Sequence, residues 1–142
     1  MKIDKTASAS WQGGLKDGKG TLSTESGALD KRPYGFNTRF EGVKGTNPEE
    51  LLGAAHAGCY TMALSMILGE AGFKADQLDT TAKVSLEKVA DGFEITAVHL
   101  TLRGKVPGID AAGFKTAADK AKVGCPLSKV IRANITLDAA LA

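Results

Sequence analysis

The chain predicts an α+β fold, a single domain over residues 1–142, on three observations. The runs TTAKVSLEKV and FEITAVHLTLRGKV alternate apolar and polar residues on either side of Ala90-Asp91-Gly92, the pattern of a β-hairpin with one buried face. From Leu51 to Gly69 the sequence LLGAAHAGCYTMALSMILG carries no formal charge over 19 residues and follows a strong helix start. Ahead of both lie short strand-like runs punctuated by Gly and Asp, as in an antiparallel meander.

The first strands are expected at ASASW (Ala7 to Trp11), at TLST (Thr21 to Thr24) after the turn-rich GGLKDGKG, and at YGFNTRF (Tyr34 to Phe40). In KGTNPEELL, Asn47 is placed as an N-cap and Pro48 at the first helical position, where its missing N–H does no harm. Glu50 stands three residues after Asn47, as in a capping box, and is read as a capping residue. The helix is expected to end at Gly72, a natural C-cap. Its roughly 24 residues extend ~36 Å, long for a domain of this size. On a 3.6-residue period Leu52, Ala55, Cys59, Met62, Ala63 and Met66 share a face, while Gly53, Ala54, Ala57 and Gly58 leave room for another backbone. A central helix packed against more than its own sheet follows from this pattern. Pro107-Gly108 ends the hairpin, and an amphipathic helix runs from Asp110, its N-cap, to Val123 before Gly124. CPLSKVIRA reads as a short helical turn and NITLDAAL as the last strand. The sum is about six strands and two or three helices.

Composition narrows the function classes. Charged residues make up 24% and apolar ones 43%, as in ordinary soluble proteins. The formal charge of +2 is spread without a Lys/Arg cluster, and one Trp and two Tyr offer little stacking, so no nucleic-acid partner is expected. The uncharged run is long enough to span a bilayer. Its three glycines, its His, Thr and Ser, and the lack of an aromatic belt or flanking Lys/Arg bias favour a buried central helix and no membrane partner. MKIDKTASASW lacks the apolar core of a signal peptide, so a cytoplasmic location with reduced thiols is expected.

Cys59 and Cys125 are 66 positions apart, too far for a C-x-x-C redox pair. The default role of such a cysteine is a small buried hydrophobe. Cys125 precedes Pro126 at the start of a helical turn, where a positive helix end favours thiolate. Cys59 lies mid-helix among Ala, Leu and Met, where its pKa should rise unless a cation is near.

GTNPEELLGAAHAGCYTMALS, with PYGFNTRFEG before it and KAKVGCPLS far downstream, resembles the OsmC/Ohr family of organic hydroperoxide reductases, in its OsmC branch. The likeness extends from the N-terminal strands to NITLD. It implies six or so antiparallel-rich strands around a long central helix, in an interwoven homodimer with sites at the interface. It implies Cys59 as peroxidatic nucleophile, Cys125 as resolving thiol, and Arg39 and Glu49 as the pair that tunes Cys59; no Arg precedes Arg32, where the Ohr branch would place that arginine. The implied activity is thiol-dependent reduction of organic hydroperoxides, and of hydrogen peroxide less well, in oxidative and osmotic stress defence. No cofactor or metal is implied, only an external dithiol or lipoyl-type reductant.

The chemistry suits these residue types. A thiolate attacks the O–O bond and becomes sulfenic acid, and a guanidinium oriented by a carboxylate stabilises both the thiolate and the charge developing on oxygen. Ten residues of straight helix separate Glu49 from Cys59 by ~15 Å, so a shared site would take Glu49, and Arg39 with it, from a second chain. The Ala, Leu and Met face around Cys59 is expected to line the substrate's approach. Two rivals stand beside this reading. His56 and Cys59, at i and i+3, could join His99 and Cys125 in a Cys2His2 zinc site, although the spacing matches no known zinc module. A non-enzymatic dimeric binding module on the same fold is the other.

Overall fold

A computed structural model describes residues 1–142, which fall into two compact units, Met1–Leu51 and Leu52–Ala142. In the first unit, β1 (Ala7–Gln12), β2 (Lys19–Thr24) and β3 (Arg32–Tyr34) form an antiparallel sheet in chain order. Trp11 pairs with Gly20 and Gly20 with Tyr34 across this sheet, and the two rings lie 5.5 Å apart by centroid. A Cβ on Gly20 would come within 2.6 Å of both rings, so only glycine fits beneath them. Gly20 is the one buried residue in this unit.

The predicted strand Tyr34 to Phe40 is corrected: β3 stops at Tyr34 and a helical turn, α1 (Phe36–Phe40), follows. Aromatic residues gave the segment a strand-like composition, but two local interactions bend it. Phe36 and Phe40 pair at 4.9 Å as i, i+4 neighbours. The Gly35 N–H donates to Thr38 Oγ1 at 3.0 Å, and that hydroxyl reaches the Thr46 carbonyl at 2.9 Å. Beyond it Asn47 begins α2 (Pro48–Glu70): its Oδ1 accepts from the Glu50 N–H at 2.8 Å, and its amide donates to the Glu50 carboxylate. Asn47 is thus the expected cap and Glu50 its capping partner.

In the second unit, β4 (Gln77–Val89) and β5 (Gly92–Lys105) form the expected hairpin, with Gly92 at φ +127 closing the turn. β6 (Asn134–Leu141) adds to β5 in parallel, so one strand pair departs from an otherwise antiparallel pattern. Val98, Leu100 and Leu102 of β5 point into the core, where they meet Tyr60, Leu64 and Leu68 of α2 and Phe114, Ala117, Ala118 and Ala121 of α3 (Ala111–Gly124). Asp110 caps α3 by accepting from the Gly113 N–H at 2.7 Å. The short helical turn expected at CPLSKVIRA follows directly as α4 (Pro126–Val130), and with the unforeseen α1 the helices number four, above the two or three expected.

The buried face of α2 is a different one from the Leu52–Met66 face that the helical period picks out. Gly53, His56, Tyr60, Leu64 and Leu68 form the inward stripe, whereas Met62 and Met66 are 77% and 61% exposed. A helix apolar on every side has no periodicity to say which side faces its own core. The length and apolarity of α2 would suffice to cross a membrane; one stripe packs on the core with β5 and α3, but only 28% of its most apolar stretch is buried within the chain, less than the buried central helix expected.

Gly104 of β5 lies under Phe114, whose ring would stand 2.5 Å from an added Cβ. Gly104→Ala is expected to lower stability by about 1–3 kcal/mol through overpacking. Urea unfolding at fixed protein concentration measures it, and an unchanged midpoint would refute the packing described.

Candidate active site

Two clusters of chemistry-bearing side chains stand out, one in each unit. In the second unit Cys59, on the flank of α2, meets Cys125 at the junction of α3 and α4. The Cys125 thiol donates to the Cys59 sulfur at 3.0 Å, and both cysteines are unbridged. A disulfide bond is ~2.05 Å long, so the sulfurs need close by only about an ångström to bridge. The two differ in access. Cys125 is fully buried, and Cys59 is partly exposed. Only Cys59 is therefore open to a reagent from solvent.

Burial pushes the Cys59 thiol up, and the neighbouring Cys125 pushes it further, while the backbone N–H of Leu127 pulls it down. The direction expected for a thiol on an apolar helix holds. The amide of Leu127, in the first turn of α4, acts on Cys59.

In the first unit α1 carries Arg39 and the first turn of α2 carries Glu49. Arg39 Nε donates to both carboxylate oxygens at 3.2 Å, and Nη2 donates to Oε1 at 2.7 Å. The Glu49 side chain is only 13% exposed and that of Arg39 37%, so this is a clamped, half-buried pair rather than a loose surface contact. The Arg39 guanidinium also lies 5.4 Å from the centre of the Phe40 ring. Beside it opens a cavity of about 190 Å³ walled by Trp11, Leu15, Tyr34, Phe36, Phe40 and Arg39 itself. An apolar lining was expected from the Ala, Leu and Met face of α2; the aromatic pocket beside Arg39 was missed because its residues are scattered from Trp11 to Phe40 over three elements.

The residues of the zinc alternative do not converge. His56 Nε2 meets Ser128 Oγ at 2.8 Å, while His99 Nδ1 meets Thr136 Oγ1 at 2.5 Å across β5 and β6. No three His, Cys, Asp or Glu side chains are grouped as metal ligands. The tie between His56 and Ser128 also went unread; its signal was the matched spacing His56-x-x-Cys59 and Cys125-x-x-Ser128.

Residues 41–140 match the family described as OsmC-like protein. The chain is 62% identical to Peroxiredoxin OsmC of Escherichia coli K12 over 138 residues, covering 97% of this chain and 96% of that one. It is 33% identical over 146 residues to an organic hydroperoxide resistance protein of Xanthomonas axonopodis pv. citri, covering 99% and 96%. The crystal structure of the organic hydroperoxide resistance protein OhrB of Bacillus subtilis superposes with a TM-score of 0.68 at 28% identity, covering 96% of this chain and 98% of that chain.

Mild oxidation of the purified protein is expected to join Cys59 to Cys125 within one chain, since their sulfurs are already in contact. Peptide mapping under non-reducing conditions checks this, and two free thiols after oxidation would refute it.

Proposed function

The chain belongs to the OsmC-like protein family, and from that premise we propose how its residues perform the reaction. It is a cysteine-based peroxidase that reduces organic hydroperoxides in stress defence. The Cys59 thiolate attacks the terminal peroxide oxygen; the S–O bond forms as the O–O bond breaks, and the alkoxide leaves and takes up a proton as alcohol. Cys125 then attacks the sulfenic sulfur of Cys59. The S–S bond forms as the S–O bond breaks, and the departing hydroxide leaves as water with the Cys125 thiol proton. An external dithiol, of which a lipoyl group is one example, reduces the disulfide by exchange and is itself oxidised. No resident cofactor or metal enters these steps. The observation that carries this reading is the 3.0 Å contact between one reachable and one buried thiol.

Arg39 supplies the positive charge that Cys59 lacks in its own surroundings, and Glu49 holds the guanidinium in one orientation. The aromatic pocket at Arg39 receives the apolar group of the substrate, which favours organic hydroperoxides over hydrogen peroxide. We assign this half of the site to the partner subunit's Cys59. α2 is unbroken from Pro48 to Glu70, and ten helical residues rise ~15 Å, which supports service in trans.

Two further observations support a homodimer. The first unit buries only Gly20, too little to hold a sheet and a helical turn by its own core. On α2, Ala54, Ala55, Gly58, Met62 and Met66 form an exposed apolar face opposite the buried stripe, with small residues where another helix can come close. An interwoven second copy covers both surfaces. We place this dimer in the cytoplasm, where its thiols are kept reduced between turnovers.

Cys59→Ser is expected to abolish consumption of cumene hydroperoxide with dithiothreitol, and Arg39→Met to lower kcat/KM by about 10²–10³-fold. Unfolding and refolding these two inactive variants together is expected to restore activity, because each hybrid dimer holds one intact Arg39–Cys59 site; a mixture that stays inactive would refute assembly in trans. In Arg39→Met, Cys59 keeps the upward shift from burial and Cys125, so its thiolate forms only at higher pH. The rising limb of single-turnover rate against pH should move to higher pH than in the wild type.

A further inference from the structure

The resolving step needs α4 to hold still. α4 has five residues, far fewer than an isolated helix needs to persist in water, so its position depends on what ties it to the rest of the fold. Leu127 and Ile131 pack on the core, but apolar contacts fix orientation loosely. The sharper ties to α2 are the Leu127 N–H, which acts on Cys59, and two antiparallel side-chain cross-links one helical turn apart. Cys125, the N-cap of α4, meets Cys59 at 3.0 Å, and three residues on along α4 and three back along α2 Ser128 meets His56 at 2.8 Å.

His56 is an unusual member of the inward stripe. Its companions there are Gly53, Tyr60, Leu64 and Leu68, and it is fully buried. Burial pushes its pKa down, so the ring is neutral. Its Nδ1 has no hydrogen-bond partner, which leaves Nε2, facing Ser128, as the engaged atom. An apolar residue at this position would escape the cost of burying a half-satisfied ring. What the imidazole adds is direction, because one hydrogen bond fixes the roll of α4 about its axis.

We propose that His56 is a positioning residue for resolution: through Ser128 it holds α4 so that the Cys125 sulfur stays aimed at the Cys59 sulfenic acid. This rests on the peroxidase reading and goes beyond it, since neither residue touches peroxide or thiol in the proposed chemistry. The pair acts chiefly on one step. Attack of Cys59 on peroxide feels α4 only through the Leu127 N–H, whose effect on the thiol is smaller than that of burial, whereas condensation of Cys125 with the sulfenic acid requires the last ångström of approach. A loosened α4 leaves the sulfenic acid waiting, and a second peroxide then oxidises it to sulfinic acid.

The test follows single turnovers of the intact protein with cumene hydroperoxide. Acid-quenched samples are read by mass spectrometry, which separates thiol, sulfenic acid, disulfide and sulfinic acid. In His56→Leu and Ser128→Ala, loss of the Cys59 thiol is expected at the wild-type rate, disulfide formation about tenfold slower, the equivalent of ~1.4 kcal/mol, and sulfinic acid should accumulate. His56→Gln, whose amide reaches as Nε2 does, and Ser128→Thr should restore resolution. The double variant should be no slower than either single one, because both remove the same bond. Ser128 is only half-buried, so Ser128→Ala keeps the test decisive where His56→Leu folds poorly. Wild-type disulfide formation in Ser128→Ala, or an equal slowing of thiol loss and disulfide formation, would overturn the proposal. A wild-type protein whose Cys59 ignores peroxide would instead overturn the peroxidase reading, and this inference with it.

Discussion

Burial of one stripe of α2 against β5 and α3 sets the position of everything chemical in the second unit. Tyr60, Leu64 and Leu68 are fully buried against Val98, Leu100 and Leu102, and Tyr60 donates to the Ala118 carbonyl at 3.1 Å. With that stripe inward, Cys59 lies on the helix flank, neither in the core nor on the open side. A quarter-turn inward would seal it from substrate, and a quarter-turn outward would carry it away from Cys125. Ala117, Ala118 and Ala121 join the same core from α3, and the chain leaves α3 at Cys125.

That placement produces an asymmetry between two thiols of the same chemical type. One is reachable and the other is buried, so in the proposed reaction the order of events follows from access before any difference in acidity. Acidity by itself works against the reachable thiol, because an apolar flank destabilises thiolate and a lone backbone amide opposes it weakly. In the proposed site the remedy is a guanidinium with a fixed direction. Glu49 grips Arg39 through three hydrogen bonds and leaves Nη1 outside that grip. An arginine clamped in this way is already oriented when a substrate arrives, which is where preorganised charge contributes most.

The first unit makes sense on the same physical grounds. Its sheet and helical turn supply an aromatic pocket and an oriented cation but scarcely any core of their own. In the proposed dimer the surface that stabilises this unit is also the one that completes the site. Assembly and activity would then be a single requirement.

The amino-acid sequence by itself determined the hairpin, the start of α2 at Asn47 and Pro48, the cap of α3 at Asp110, and a family whose motif residues single out Cys59, Cys125, Arg39 and Glu49. These are local signals: alternation, capping side chains and turn glycines act within a few residues of where they are written. Tertiary structure decided the rest. It chose the inward side of α2, because an all-apolar helix has no preferred face until a sheet and a neighbouring helix cover one. It turned FNTRF into a helix through Thr38 and the pairing of Phe36 with Phe40, against its strand-like composition. It brought together cysteines 66 residues apart and, beside them, His56 and Ser128, since contacts at such separation exist only once the whole core has formed.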